Sequence, residues 1–172
     1  ASGWRCHRAV ALGWHLLVGD TVQTRSHEKE LMDGGDTFDD GLAEASYRFI
    51  ERVNKYFGGI APVKQFLVSE AVEGKLGNAP IRILDLGSGA CDIPVALALW
   101  SKKRGLNLQF DCIESGAAAC ERARRNIETA GVNSVRVIEQ DVFSYIPVVP
   151  YDYVVASLFL HHLEEHAIME LV

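Results

Sequence analysis

Ile81-Arg82-Ile83-Leu84-Asp85-Leu86-Gly87-Ser88-Gly89-Ala90-Cys91-Asp92 is the stretch that decides the fold. Apolar Ile81, Ile83, Leu84 and Leu86 make a buried strand of the kind parallel sheets contain, and Asp92-Ile93-Pro94 starts a helix directly after the turn. Strand, glycine turn and helix in that order open a βαβ unit, with a ligand crevice beyond the strand's carboxyl end. Gly87 and Gly89 carry no Cβ, so the backbone can turn sharply there and be approached closely.

The charges beside the turn narrow the ligand. In a dinucleotide loop a third glycine stands three residues after the second, and the helix N-terminus receives the pyrophosphate. This chain has Asp92 at that position, and a carboxylate there repels a phosphate. Asp85, at the strand end, likewise suits a cation. The turn favours a nucleoside carrying positive charge over NAD or ATP, which leaves an NAD-dependent oxidoreductase as a weak alternative.

Outward from the turn, Ile93 to Lys103 reads as a helix with Ala96, Leu97, Leu99 and Trp100 toward the sheet. Leu106 to Ile113 is the next strand, closed by Glu114. An acid ending the second strand, about 25 residues past the loop, is placed to accept two hydrogen bonds from a ribose diol. The plainer reading of Glu114 is a strand-end charge facing water. Ser115 or Gly116 opens a second helix, apolar through Ala119, Cys120, Ala123 and Ile127 and ended by Gly131. Val135 to Ile138 is a third strand and Tyr151 to Leu158 a fourth, followed by Phe159-Leu160-His161-His162-Leu163.

Asp85-Leu86-Gly87-Ser88-Gly89 resembles motif I of the class I S-adenosylmethionine-dependent methyltransferases. Glu139-Gln140-Asp141-Val142-Phe143 resembles the family's adenine-binding segment, and Ser157 with the His-His-Leu turn resembles the small-molecule, quinone-biosynthesis type. The resemblance runs from about Ile81 to Leu163, with its motifs in the family's order. It implies S-adenosyl-L-methionine as cofactor and S-adenosyl-L-homocysteine as product. It also implies a Rossmann-like, doubly wound α/β fold with a mainly parallel sheet in the order 3-2-1-4. The cofactor residues it implies are Asp85, Gly87, Ser88, Gly89, Glu114, Ser115, Asp141, Val142 and Ser157. The family often has a third glycine where this chain has Cys91. The implied reaction is direct in-line displacement by a small organic acceptor, needing no metal. His161 and His162 are candidate bases because imidazole titrates near neutral pH; the alternative is that they cap the turn or pack on the sheet. A non-catalytic module that keeps the fold is the other reading.

Composition agrees with a cytoplasmic globular chain: 172 residues, 48% hydrophobic, 23% charged, net charge -6. Nucleic-acid affinity depends mainly on Lys and Arg, so the acidic balance disfavours a nucleic-acid partner, and Arg122, Arg124 and Arg125 read as a solvated helix face. Cys6, Cys91, Cys112 and Cys120 show no metal-ligand spacing and look like small apolar residues of a reduced protein. No run approaches the roughly 18 apolar residues of a membrane span.

The chain divides into an extension over 1–38, a helical cap over 39–79 and the Rossmann-like core over 80–172. Arg5 and Arg8 before apolar Ala9 to Gly19 resemble a signal peptide, but no cleavage site follows, and a loose or helical extension is expected. Leu42, Ala45, Phe49, Ile50, Val53, Tyr56 and Phe57 recur at helical spacing between Asp39 and Gly58, for about five turns. A second cap helix runs from Pro62 to about Glu73. The cap's aromatic stripe either helps form an acceptor pocket or packs in the core. The family's sheet continues to seven strands, so four would leave the last as an apolar edge, and a truncated chain is expected.

Overall fold

The computed structural model describes residues 6–12, 59–73, 79–157, 159–160 and 163–171, the first of these segments by its backbone alone. Its elements are β1 (Cys6–Leu12), α1 (Ile60–Val72), β2 (Ile81–Leu86), α2 (Asp92–Lys102), β3 (Leu108–Glu114), α3 (Ala117–Ala130), β4 (Val135–Glu139), β5 (Tyr151–Ser157) and α4 (Glu165–Leu171). The five strands form one sheet in the order β1-β5-β2-β3-β4, and all four pairings are parallel. Read from its far edge, β4-β3-β2-β5 is the expected 3-2-1-4 order. The helix foreseen over residues 39–57 lies outside the described residues.

β1 corrects the expectation of a loose or helical extension. Cys6–Leu12 pairs with Tyr151–Ser157, from Cys6 opposite Tyr151 to Leu12 opposite Ser157. A short apolar run has no periodicity that separates strand from helix, and the apolar edge of β5 supplies the partner that decides. The edge expected to be bare is therefore covered.

Side chains alternate across the sheet and build two cores. On one face Ile81, Ile83, Leu108, Phe110, Cys112, Val135, Tyr153 and Val155 meet Val63 and Leu67 of α1, Ile93 and Leu97 of α2 and Ala123 of α3. On the other, Leu84, Leu86, Ile113 and Ala156 meet Val142 and Leu171. A fully buried Leu or Ile contributes about 1.5–3 kcal/mol by leaving water. Tyr153 fixes α1 to the sheet, donating a 3.0 Å hydrogen bond to Glu70 and meeting the Phe66 ring edge-on at 5.4 Å. In α2 the buried stripe is Ile93, Pro94, Leu97, Ala98 and Ser101, whereas Leu99, expected toward the sheet, is 40% exposed. Two residues beyond Leu97 is about 200° around a helix, which turns Leu99 outward.

Asp111 ties β3 to three other strands on the second face. It accepts hydrogen bonds from Tyr151 Oη at 2.6 Å, Arg136 Nε at 3.0 Å and Arg82 at 3.3 Å, and Tyr145 Oη in turn donates to Tyr151 Oη at 2.7 Å. Burial, followed by the bond to Asp111, raises the Tyr151 pKa above its ordinary value, so the phenol stays a donor.

Topology now places a crevice. The chain runs outward from β2 to β3 and β4, then returns to β5 on the other side of β2. The loops after β2 and β5 consequently diverge, and ligands of open α/β sheets bind at that switch point.

Candidate functional site

Asp85, Gly87 and Gly89 follow one another at the carboxyl end of β2, and each does something different. Gly87 and Gly89 both take left-handed backbone, with φ of 62° and 53°. A Cβ on Gly87 would fall inside the Phe159 ring, while one on Gly89 would meet none of the described residues within 4 Å. The close approach foreseen at Gly87 is thus filled by an aromatic side chain from the loop after β5. The open approach is at Gly89.

Glu114 is held for a purpose visible in its bonds. Its Oε2 accepts from the Gly89 amide at 2.9 Å and its Oε1 from the Gly116 amide at 2.8 Å. The carboxylate bridges the glycine turn to the start of α3, and each oxygen keeps a lone pair for another donor. This replaces the reading of a strand-end charge that merely faces water. Ser88 continues the tie: its amide donates to the Ile113 carbonyl at 3.2 Å and its carbonyl accepts from the Cys91 amide at 3.0 Å. Ser115 is exposed beside Glu114.

The end of β4 lies next to Glu114, whose carbonyl accepts from the Gln140 amide at 2.9 Å. Asp141 follows, exposed, with Oδ1 accepting from the Phe143 amide at 2.7 Å; that bond shapes the turn. The Val142 side chain is buried in the second core, which anchors the segment. Ser157 ends β5, and its Oγ is buried with no hydrogen-bond partner among the described residues. The predicted set Asp85, Gly87, Ser88, Gly89, Glu114, Ser115, Asp141, Val142 and Ser157 therefore gathers at the carboxyl ends of β2, β3, β4 and β5. His161 and His162 lie outside the described residues.

Electrostatically the site is acidic. Asp85 is 4% exposed, and its carboxyl group makes no hydrogen bond or ion pair among the described residues. Burial first, then the charges of Asp92 and Glu114, push its pKa from 3.8 up to about 8. Three carboxyl groups influence one another here, yet among the described residues no group of three His, Cys, Asp or Glu is placed to hold a metal ion.

Two contributors, Asn126 and Phe159, were not foreseen, and a third, Cys91, was marked only as the residue at the missing glycine's position. Cys91 takes the left-handed conformation, φ 57°, in which a third glycine would be unstrained. Its thiol is fully buried and lies 3.5 Å from Ser88 Oγ. Asn126 of α3 donates to the Ala90 carbonyl at 3.0 Å and holds the turn from outside. Phe159 covers Gly87. The missing third glycine was a signal for Cys91; Asn126 and Phe159 act across the fold and leave none in local sequence.

With this geometry in hand, comparison with known families gives a match to the methyltransferase small domain over residues 64–168. The chain belongs to this family. The match spans α1 to α4, so this methyltransferase-family chain carries the family's domain on the same elements that build the site. A Methanococcus maripaludis structure, provisionally described as an S-adenosyl-L-methionine-dependent methyltransferase, shares the fold with a TM-score of 0.54 at 18% identity, covering 80% of this chain and 61% of its own. A Clostridium acetobutylicum S-adenosylmethionine-dependent methyltransferase aligns with a TM-score of 0.48 at 15% identity, over 65% of this chain and 43% of its own. The chain thus spans less than two thirds of either structure's length. Comparison with curated proteins gives no match.

Proposed function

We propose that this methyltransferase-family chain binds S-adenosyl-L-methionine at the β2 turn and takes part in methyl transfer to a small organic acceptor. The observation that carries the reading is the buried Asp85, whose carboxyl group has no partner among the described residues, beside Asp92 and Glu114 at a turn where the described residues leave Gly89 open to close approach. Those acids favour an ammonium and a sulfonium and oppose the phosphates of NAD.

The residues fit the cofactor in three further ways. Glu114, oriented by two backbone amides, is placed to accept from a ribose diol. Asp141 and the Val142 amide stand next in line for the adenine. The Ser157 hydroxyl, buried and without a partner among the described residues, could take one from a ligand in the crevice. Ser88 and Ser115 line the approach.

The cofactor, when bound, supplies a methyl group already activated by its sulfonium. The chain's own part is to fix the cofactor's position and to exclude water, with the Phe159 ring walling one side of the turn. We assign His161 and His162, just beyond Phe159, to receive a proton from acceptors that must lose one. We place the core at 80–172 and the helical cap at 39–79, with the cap bordering the acceptor, and we place the protein in the cytoplasm. Among the described residues no helix is long and apolar enough to cross a membrane.

Calorimetric titration with S-adenosyl-L-homocysteine, in the wild type and in Glu114→Ala, tests the reading. Binding should weaken by about 1–3 kcal/mol in the variant, the scale of lost buried hydrogen bonds. No binding by the folded wild type would end the proposal. Turnover with quinol, phenol or polyketide-like acceptors then separates an enzyme from a binding module.

A further inference from the structure

We propose that Asp85 holds a proton in the ligand-free protein and releases it when the cationic end of the ligand arrives, so that cation capture at the β2 turn is coupled to proton release. The inference rests on the reading of the site given above and deepens it. Position alone argues for it: the carboxyl group is 4% exposed, makes no ion pair among the described residues, and stands near two further carboxylates. A carboxylate taken out of water without a counter-charge is costly, and the group takes up a proton instead.

The groups around Asp85 leave little else to carry that proton. Asp92 faces it from α2 and Glu114 from the end of β3, and both disfavour its ionisation. Glu114 is already committed as an acceptor to the amides of Gly89 and Gly116. Across the sheet Asp85 stands opposite Cys112 on β3 and Val155 on β5. The Cys112 thiol is itself raised, chiefly by burial and then by its contact with the Cys91 thiol, and so is not a source of protons near neutral pH. Among the described residues no Lys, Arg or His approaches Asp85 closely enough to perturb it.

An arriving ammonium changes the balance. It brings the missing counter-charge, the O–H bond of Asp85 breaks, the proton leaves to solvent, and an ion pair forms in its place. Net charge in the crevice is unchanged by the exchange, which spares the low-dielectric interior a lone charge. A neutral analogue lacking the amine gains nothing from the same residue. Asp85 thereby selects for the amine by more than its reach.

Calorimetry with S-adenosyl-L-homocysteine in buffers of differing ionisation enthalpy counts the protons. At about pH 6 to about pH 7, below the range where an amino group gives up its own proton, the wild type should release about one proton per ligand, and affinity should rise about tenfold per pH unit. Asp85→Asn, whose amide imitates the protonated acid in shape and charge, should fold, bind more weakly and show neither proton release nor this pH dependence. Wild-type binding without proton release overturns the inference and leaves the cofactor reading standing. Release that persists in Asp85→Asn also overturns it, by placing the proton elsewhere. If the folded wild type does not bind at all, both fall together.

Discussion

At Asp85, burial and two neighbouring carboxylates act in the same direction, and the consequence reaches stability as well as binding. The unfolded chain titrates this acid near 3.8 and the folded chain near 8, so between those values the fold holds one proton more. Stability then falls as pH rises through the window, by about 1.4 kcal/mol per pH unit at the steepest, and the loss is complete above the upper value. Asp85→Asn has no proton to lose. Its melting temperature should overtake that of the ligand-free wild type as pH rises, with the gap levelling off above about pH 8; a gap that stays constant with pH would contradict a buried carboxyl group that is neutral in the folded, ligand-free chain. Gly87 makes a second test at this scale. Gly87→Ala adds left-handed strain of about 1–2 kcal/mol and forces its methyl into the Phe159 ring. Chemical denaturation should show Phe159→Ala restoring part of that loss in the double variant, leaving the strain, since the two side chains share one space. Asp85, Gly87, Gly89 and Glu114 were all legible in the sequence, because a strand end and a turn fix where such residues stand. What fills the space over each glycine was not, since Phe159 reaches Gly87 from 72 residues away in the chain.

Elements were legible where their ends are marked by chemistry. Gly131 stops α3 in a left-handed turn, φ 60°, with its amide on the Glu128 carbonyl at 3.0 Å and the Val132 amide on the Ile127 carbonyl at 3.4 Å. That pair of bonds is the Schellman arrangement, and Val132 and Ile127 pack into the same core behind it. A methyl group on Gly131 meets nothing within 4 Å, so Gly131→Ala isolates the backbone cost. Urea denaturation should give a loss of about 1 kcal/mol with an unchanged slope. Gly116 at the other end of α3 has no side chain to cap the helix, and the Glu114 carboxylate takes its amide instead. The site acid therefore also positions the helix, so Glu114→Ala should lower stability as well as affinity. The sequence located β3, β4 and β5 to within one or two residues because each begins or ends at a polar or glycine-bearing turn. Leu99 faces solvent because its angle on the helix, and not its apolar side chain, decides its side.

For the whole molecule, topology depends on a pairing that no local pattern announces. β2, β3 and β4 follow from alternating strands and helices, which permit few arrangements of a parallel sheet. β1 does not, because nearly 140 residues of chain separate it from β5, and short apolar runs do not declare their partner. Its position has a physical effect: the N–H and C=O groups along one side of β5 find partners in Cys6–Leu12 instead of standing open. An open, apolar strand edge recruits other chains. Proline at both Ala9 and Val10 tests this, because adjacent strand residues point their amides in opposite directions and one of the two must face β5. The double variant should lose cooperative stability and show concentration-dependent self-association by light scattering, while a Val10→Thr control, which keeps its amide, remains as dispersed as the wild type. The site provides the companion measurement. Ser157 ends β5 beside the β2 turn, so an edge that frays from β1 should also weaken S-adenosyl-L-homocysteine binding. Unchanged affinity in the proline variant would mean that β2 alone holds β5 in place, through its pairing of Ile83, Leu84 and Asp85 with Tyr153, Val154 and Val155.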